Sequence, residues 1–177
     1  AVEVHQPGGG SSDDVFGMAL GAVKFDTNRI VFGLTLNEVL ARNVSAVNIG
    51  GNFPDLVELL NDGPTDVNIA GWRLTDDLAD PGKFVFPPGA SIAAGTYLVL
   101  SEDDLGFGFD ANGEALFLID ASGTNVLDRV LFGPQLPDRS IGRAGTGGTW
   151  FLGQPSLNGP TVTVPTAGGA GVRINEW

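Results

Sequence analysis

The sequence contains no cysteine. A disulfide scaffold and a thiolate metal centre are both excluded, although the compartment is not fixed by this alone. Lysine is almost as scarce, with only Lys24 and Lys83 among 177 residues. Nine basic residues face 21 acidic ones, for a net charge of −12. A surface that acidic repels phosphate backbones and anionic lipid heads, so nucleic acid and membrane surfaces are not expected partners. It attracts divalent cations loosely and suits an extracellular protein. Histidine occurs once, at His5. A Ser-His-Asp or Cys-His mechanism would have to pass through it. His5 lies in a peripheral stretch with no G-x-S-x-G nearby, so its structural reading is preferred. No run approaches the ~18 consecutive apolar residues of a membrane span. No methionine or signal peptide stands at Ala1, and we expect a chain processed or excised from something larger.

Hydrophobic residues make up 42% of the sequence and charged residues 17%, so a core can be buried and an acidic disordered tail is disfavoured. With 27 glycines and 11 prolines, many short strands joined by turns are expected rather than long helices. Val2 to His5 alternates, and Pro7 to Asp14 reads as a loop. Val15 to Phe25 places Phe16, Met18, Leu20 and Ala22 on one strongly apolar face of a strand. Further strands are expected at Leu34–Leu40, Leu56–Leu60, Trp72–Thr75, Lys83–Phe86 and Thr96–Leu100. The apolar runs Ala115–Ile119 and Asn125–Leu131 follow Gly-centred turns, as in β-hairpins. A helix over Leu34–Val47 is the rival reading there, and its Asn and β-branched residues argue against it. Pro134 to Gly153 has little periodicity, and Pro165 to Gly171 reads as a flexible linker. Recurrent turn signals between short strands fit a sandwich.

Leu36-Asn37-Glu38-Val39 is echoed by Ile174-Asn175-Glu176-Trp177, 138 positions later. That spacing is about one domain, and the second copy follows the linker. Val172 to Trp177 is thus expected to be the first strand of a truncated second copy. Several segments also resemble a known family. Leu36 to Asn43 resembles an opening strand. Pro54 to Asn61 resembles a "DWIELYN" strand, with Leu56 where the family prefers tryptophan. Val67 to Asp77 resembles an "L-S-G-W-x-L-S-D" segment. Phe84 to Pro87 and Ile92 to Leu100 resemble an "FP…I-x-A-G-x-Y-L-V" hairpin, and Ser140 to Arg143 an "S-x-G-R" strand. In this order, residues 34–159 resemble a lamin-tail domain of the kind repeated in large secreted bacterial proteins. The resemblance implies an all-β, immunoglobulin-like β-sandwich, here with extra flanking strands. It also implies an interaction or structural module with no catalytic site to carry over. Residues 1–24 resemble the last strands of a jelly-roll-like module. The expected organisation is a flanking strand segment at 1–32, the sandwich at 33–160, a linker at 161–171 and the truncated repeat at 172–177.

Candidate chemistry is weighed against this background. The pairs Asp13-Asp14, Asp76-Asp77 and Asp103-Asp104 read as solvated or capping turns rather than the facing carboxylates of a glycosidase. Asp110, Asn112, Glu114 and nearby Asp120 are the calcium candidates. An EF-hand loop would put glycine sixth and glutamate twelfth, whereas Gly113 comes fourth, so a turn is preferred and no cofactor is expected beyond calcium. Asp55, Glu58 and Arg143 could form a buried ion pair linking strands. Trp72 is expected in the core, whereas Trp150 follows a Gly-rich turn and could present an exposed ring to glycan. The leading expectation is a secreted or cell-surface, non-catalytic module that spaces, adheres or assembles. Its partners would be itself or neighbouring domains of the same parent chain. The apolar residues Phe16, Met18, Leu20, Val172, Ile174 and Trp177 would carry head-to-tail strand exchange into a fibre. The alternative is a glycan- or surface-binding accessory module of a secreted hydrolase, using Trp150. An enzyme would need two facing carboxylates in a pocket.

Overall fold

The computed structural model describes residues 33–144 and 148–165, and the backbone of two short strands, β1 (Phe16–Met18) and β2 (Gly21–Val23). These two pair antiparallel, Gly17 opposite Ala22. The alternating run expected over Val15–Phe25 is thus divided between two short strands. His5, Leu20, the Asp13-Asp14 pair and Val172 to Trp177 lie outside the described residues.

Among the described residues from Gly33 onward, the regular structure is β apart from one helical turn. The strands are β3 (Leu34–Leu40), β4 (Leu56–Asn61), β5 (Val67–Asn68), β6 (Arg73–Thr75), β7 (Phe84–Val85), β8 (Ser91–Ile92) and β9 (Tyr97–Ser101). After a single helical turn, α1 (Glu102–Leu105), come β10 (Glu114–Ile119), β11 (Val126–Phe132), β12 (Ser140–Arg143), β13 (Trp150–Gln154) and β14 (Val162–Thr163). One sheet runs β14-β13-β12-β3-β4-β9 and the other β11-β10-β6-β7, with β5 and β8 pairing separately. The core holds Leu36, Val39, Val57, Leu59 and Ile141 from the first sheet, against Leu74, Leu116, Leu118, Val130 and Phe132 from the second. Two antiparallel sheets closing on one core make an immunoglobulin-like β-sandwich.

Local chemistry explains the boundaries. Gly33 opens β3 at φ 76°, where its Cα lies so near Gly63 that an added Cβ would sit 2.9 Å from the Gly63 Cα. Only glycine fits that approach. Asn61 ends β4 fully buried, and its amide donates to the Thr65 and Ile92 carbonyls, both at 2.9 Å. The acidic stretch after β9, expected as a turn, is the short helix α1. Ser101 caps it, and the Asp104 carboxylate accepts from the Ser101 N–H at 2.8 Å in a capping box. The Asp120–Asn125 turn is a true β10–β11 hairpin. The Asp110–Gly113 turn leads into β10 from a segment that is not a strand.

Two strands in Pro134–Gly153 escape the periodicity argument. Ser140–Arg143 carries glycine and arginine on alternate faces, and β13 is five residues long with no regular alternation of buried and exposed positions. The sheet also runs past residue 160, because Val162 pairs with Gln154 where a linker was expected. The Leu34–Val47 helix does not form; the first half is β3 and the rest is irregular.

The two sheets are tied by Asp128 of β11. A bulge interrupts the β3–β4 register between Leu36 and Glu38, and the Leu36 N–H lies beside it. That N–H donates across the sandwich to Asp128 Oδ2 at 2.8 Å. Asp128 Oδ1 accepts from Arg143 Nη2 at 2.6 Å, and the guanidinium lies 4.8 Å from the Trp150 ring centre. Both side chains are nearly buried, at 13% and 10% exposure. Asp128→Ala would therefore strand a buried N–H and a buried cation together. The expected cost is about 3 kcal/mol or more in urea unfolding, with Asp128→Asn losing less because it keeps one acceptor. A cost within about 0.5 kcal/mol of zero, the range of an ordinary surface change, would remove the tie.

Candidate functional site

The densest polar cluster is on the outer face of the six-stranded sheet, opposite the core. Glu38 of β3 and Glu58 of β4 are direct cross-strand partners. Such partners place their Cβ atoms about 5 Å apart on one face. Both residues are fully buried. Asn37, the extra residue of the β3 bulge, donates its amide to Glu58 Oε1 at 2.7 Å. The remaining donors come from about a hundred residues away in sequence. Ser156 gives its N–H to Glu38 Oε1 at 2.9 Å and its hydroxyl to Glu38 Oε2 at 2.7 Å. Asn158 gives its N–H to Glu58 Oε2. To do so, Asn158 takes φ 61°, in the left-handed region that asparagine tolerates. Thr161 then crosses Gly142 of β12 so closely that a Cβ there would lie 2.7 Å from its methyl. Residues 156–161 therefore form a polar clasp lying over three adjacent strands, β12, β3 and β4.

No cationic side chain is among the described partners of this pair. Two charges about 5 Å apart would repel by about 3 kcal/mol at an effective dielectric near 20. Burial pushes the Glu58 carboxyl up to about 7, and the Glu38 charge adds to the rise against the Asn37 and Asn158 hydrogen bonds. A glycosidase needs its two carboxyl groups on either side of an open sugar site. Here they stand on one sheet face under the clasp, with their oxygens already engaged.

The calcium candidates are divided between the two ends of β10. Asp110 and Asn112 share a turn in which Asp110 Oδ1 accepts from the Asn112 N–H at 2.8 Å. Asp120 is beyond the far end of β10, about 17 Å along a six-residue strand. There it holds the hairpin turn, accepting from Ser122 Oγ and Asn125 Nδ2 at 2.6 Å, and these hydrogen bonds lower its carboxyl. Glu114 is half-buried; burial lifts it to about 7, with Asp76 and Asp110 adding to the rise. Among the described residues no group of three or more His, Cys, Asp or Glu is arranged to hold a metal.

Other expectations are also redistributed. Arg143 pairs with Asp128, not with Asp55 or Glu58. Asp55 instead accepts the Phe109 N–H at 3.0 Å, and burial raises its carboxyl. Asp76 pairs with Lys83 at 2.5 Å, and Asp77 caps Ala79 at 2.8 Å, so this acidic pair does act as a structured turn. Trp150 is buried at 8% exposure beneath Arg143, because its position on β13 faces the core; it offers no open ring to glycan. Trp72 is half-buried against the core, as expected of a packing residue. Sequence reasoning did not single out Asp138. From φ 58° its carboxylate gathers the N–H groups of Val44, Ser45 and Ala46 and the Ser45 hydroxyl. These bonds, the hydroxyl foremost, draw it down to about 2 and pin the loop after β3.

The fold is that of an immunoglobulin-like β-sandwich domain. The lamin tail domain family matches residues 33–133, and the chain belongs to it. The match runs from the glycine before β3 to the residue after β11, so β12–β14 and the clasp lie beyond it. No curated protein and no solved structure matches the chain.

The pH dependence of stability follows from these carboxyls. Glu58 and Glu114 have folded values near 7 against 4.5 unfolded, so their share of stability is full below 4.5 and is lost as pH rises through 7. Asp138 works in the opposite sense: its share is present above 3.8 and is lost as pH falls through about 2. Thermal unfolding should show greatest stability at about pH 4, declining toward 8. Glu58→Gln with Glu114→Gln should flatten that decline; an unchanged slope would contradict the assignment.

Proposed function

We propose that this chain is a non-catalytic structural and interaction module of a secreted bacterial protein, one unit in a string of modules. The observation that carries this reading is where the acidic side chains spend their oxygens. Glu38, Glu58, Asp55, Asp120, Asp128 and Asp138 all accept from the chain's own donors across strands or turns. That is scaffold chemistry. The lamin tail family is itself a non-catalytic module family, and an acidic, lysine-poor surface suits work outside the cell.

The echo at Val172–Trp177 fits a string of modules better than insertion into this sandwich. Its counterpart Leu36–Val39 lies in β3, the buried strand between β12 and β4. That position is filled, so an echo strand would begin a neighbouring sandwich. A second reading, head-to-tail assembly, draws on the sheet edges. Among the described strands, β9 and β11 are edges of five and seven residues, and β2 approaches within 8 Å of β11 between Cα atoms. Open edges accept added strands.

Sedimentation velocity over a concentration series separates the two. The module reading predicts a monomer at all concentrations. Assembly would appear as concentration-dependent growth that is lost when residues 1–32 or 172–177 are deleted, and that result would displace the module-string account.

A further inference from the structure

We propose that residues 156–161 are a pH-sensitive clasp, closed over the Glu38–Glu58 pair in acid and released as the medium turns alkaline. This goes beyond the module reading, because it concerns how one face of the sheet is covered and uncovered.

The geometry is that of a latch. Its three points of attachment are unlike one another. Ser156 grips Glu38 through both its N–H and its hydroxyl. Asn158 grips Glu58 through its N–H. Thr161 rests on the bare backbone of Gly142. The clasp also holds the sheet edge that follows it: the Val162 N–H donates to Ser156 Oγ at 3.1 Å, and Val162–Thr163 is strand β14. That edge is a weak one. It is two residues long, with both residues exposed.

The electrostatics set the direction of the switch. The titratable groups at this face are Glu38 on β3, Glu58 on β4 and the Tyr97 phenol on β9, which burial, and then the Glu58 charge, raises. Asn37 and the hydroxyl of Ser156 are the neutral polar partners. No cation is among these described partners. When Glu58 carries a proton, one charge remains under the clasp and every contact is favourable. When Glu58 ionises, two like charges share a buried face, and water reaches them only if the clasp lifts. Ionised carboxylates accept N–H donors well, so the opposing force is desolvation and mutual repulsion, not loss of acceptors. Closure therefore binds a proton, and raising the pH opens the clasp. Release frees β14 from the sheet edge.

Hydrogen exchange followed by mass spectrometry, corrected for the intrinsic pH dependence of exchange, reads the clasp directly. Protection of the 155–164 peptide should fall at least tenfold between pH 5 and pH 8, while the β10–β11 hairpin keeps its protection. Glu58→Gln should hold the 155–164 protection constant over that range. Gly142→Ala, which pushes on Thr161 without touching either carboxyl, should lower protection at every pH and leave the pH response in place. A 155–164 peptide whose protection is unchanged from pH 5 to pH 8 would overturn the proposal. So would a Glu58→Gln variant that folds and retains the full wild-type pH response.

Discussion

Two carboxylates occupy the middle of the larger sheet, where a sandwich normally places aliphatic side chains or leaves polar ones to water. Glu38 and Glu58 face neither. A buried carboxylate is tolerable only when its lone pairs are met by donors, and the two neighbouring strands supply only one, the Asn37 amide. The others come from a loop that the chain reaches only after β13. That demand explains why β12 and β13 must bring the chain back beside β3, and why Ser156 and Asn158 lie where they do. The bulge at Asn37 answers the same demand: the extra residue brings its amide to Glu58.

Remote residues recur as the way this fold is fastened. Asp128 meets Leu36 across the sandwich, Asp138 meets Val44–Ala46, and Ser156 meets Glu38. Each contact spans roughly ninety residues or more of sequence. Apolar contacts supply most of the driving force for such a domain, but they are non-directional. The polar ties are directional, and they fix the register between sheets and loops. Without cysteine, no covalent staple shares that task.

The strands that alternate plainly or are aliphatic throughout were legible in the sequence: Leu34–Leu40, Leu56–Leu60 and the β10–β11 hairpin all stand where periodicity and turn residues put them. The strands at Ser140–Arg143 and Trp150–Gln154 were not legible from periodicity. They are short, and their inward face carries an arginine that reads as a surface residue until Asp128 is seen opposite it. The polar site was harder still. Glu58 was expected in an ion pair with Asp55 and Arg143, Glu38 was not singled out, and only the pairing register shows that the two are neighbours. Among the calcium candidates, Asp120 stands apart for the converse reason: proximity in sequence across a strand becomes distance in space. Trp150 was misplaced because a glycine-rich approach suggests exposure, whereas the side-chain parity of β13 decides burial.

The central claim is that a buried, cation-free carboxylate pair organises the outer face of the sheet. Its most direct test is a carbon-13 NMR titration of the glutamate side-chain carboxyl groups, with Glu58 assigned through Glu58→Gln. The account predicts a Glu58 midpoint of about 7. A midpoint near 4.5, the value of a solvated glutamate, would mean that the pair is hydrated and that the clasp does not close over it.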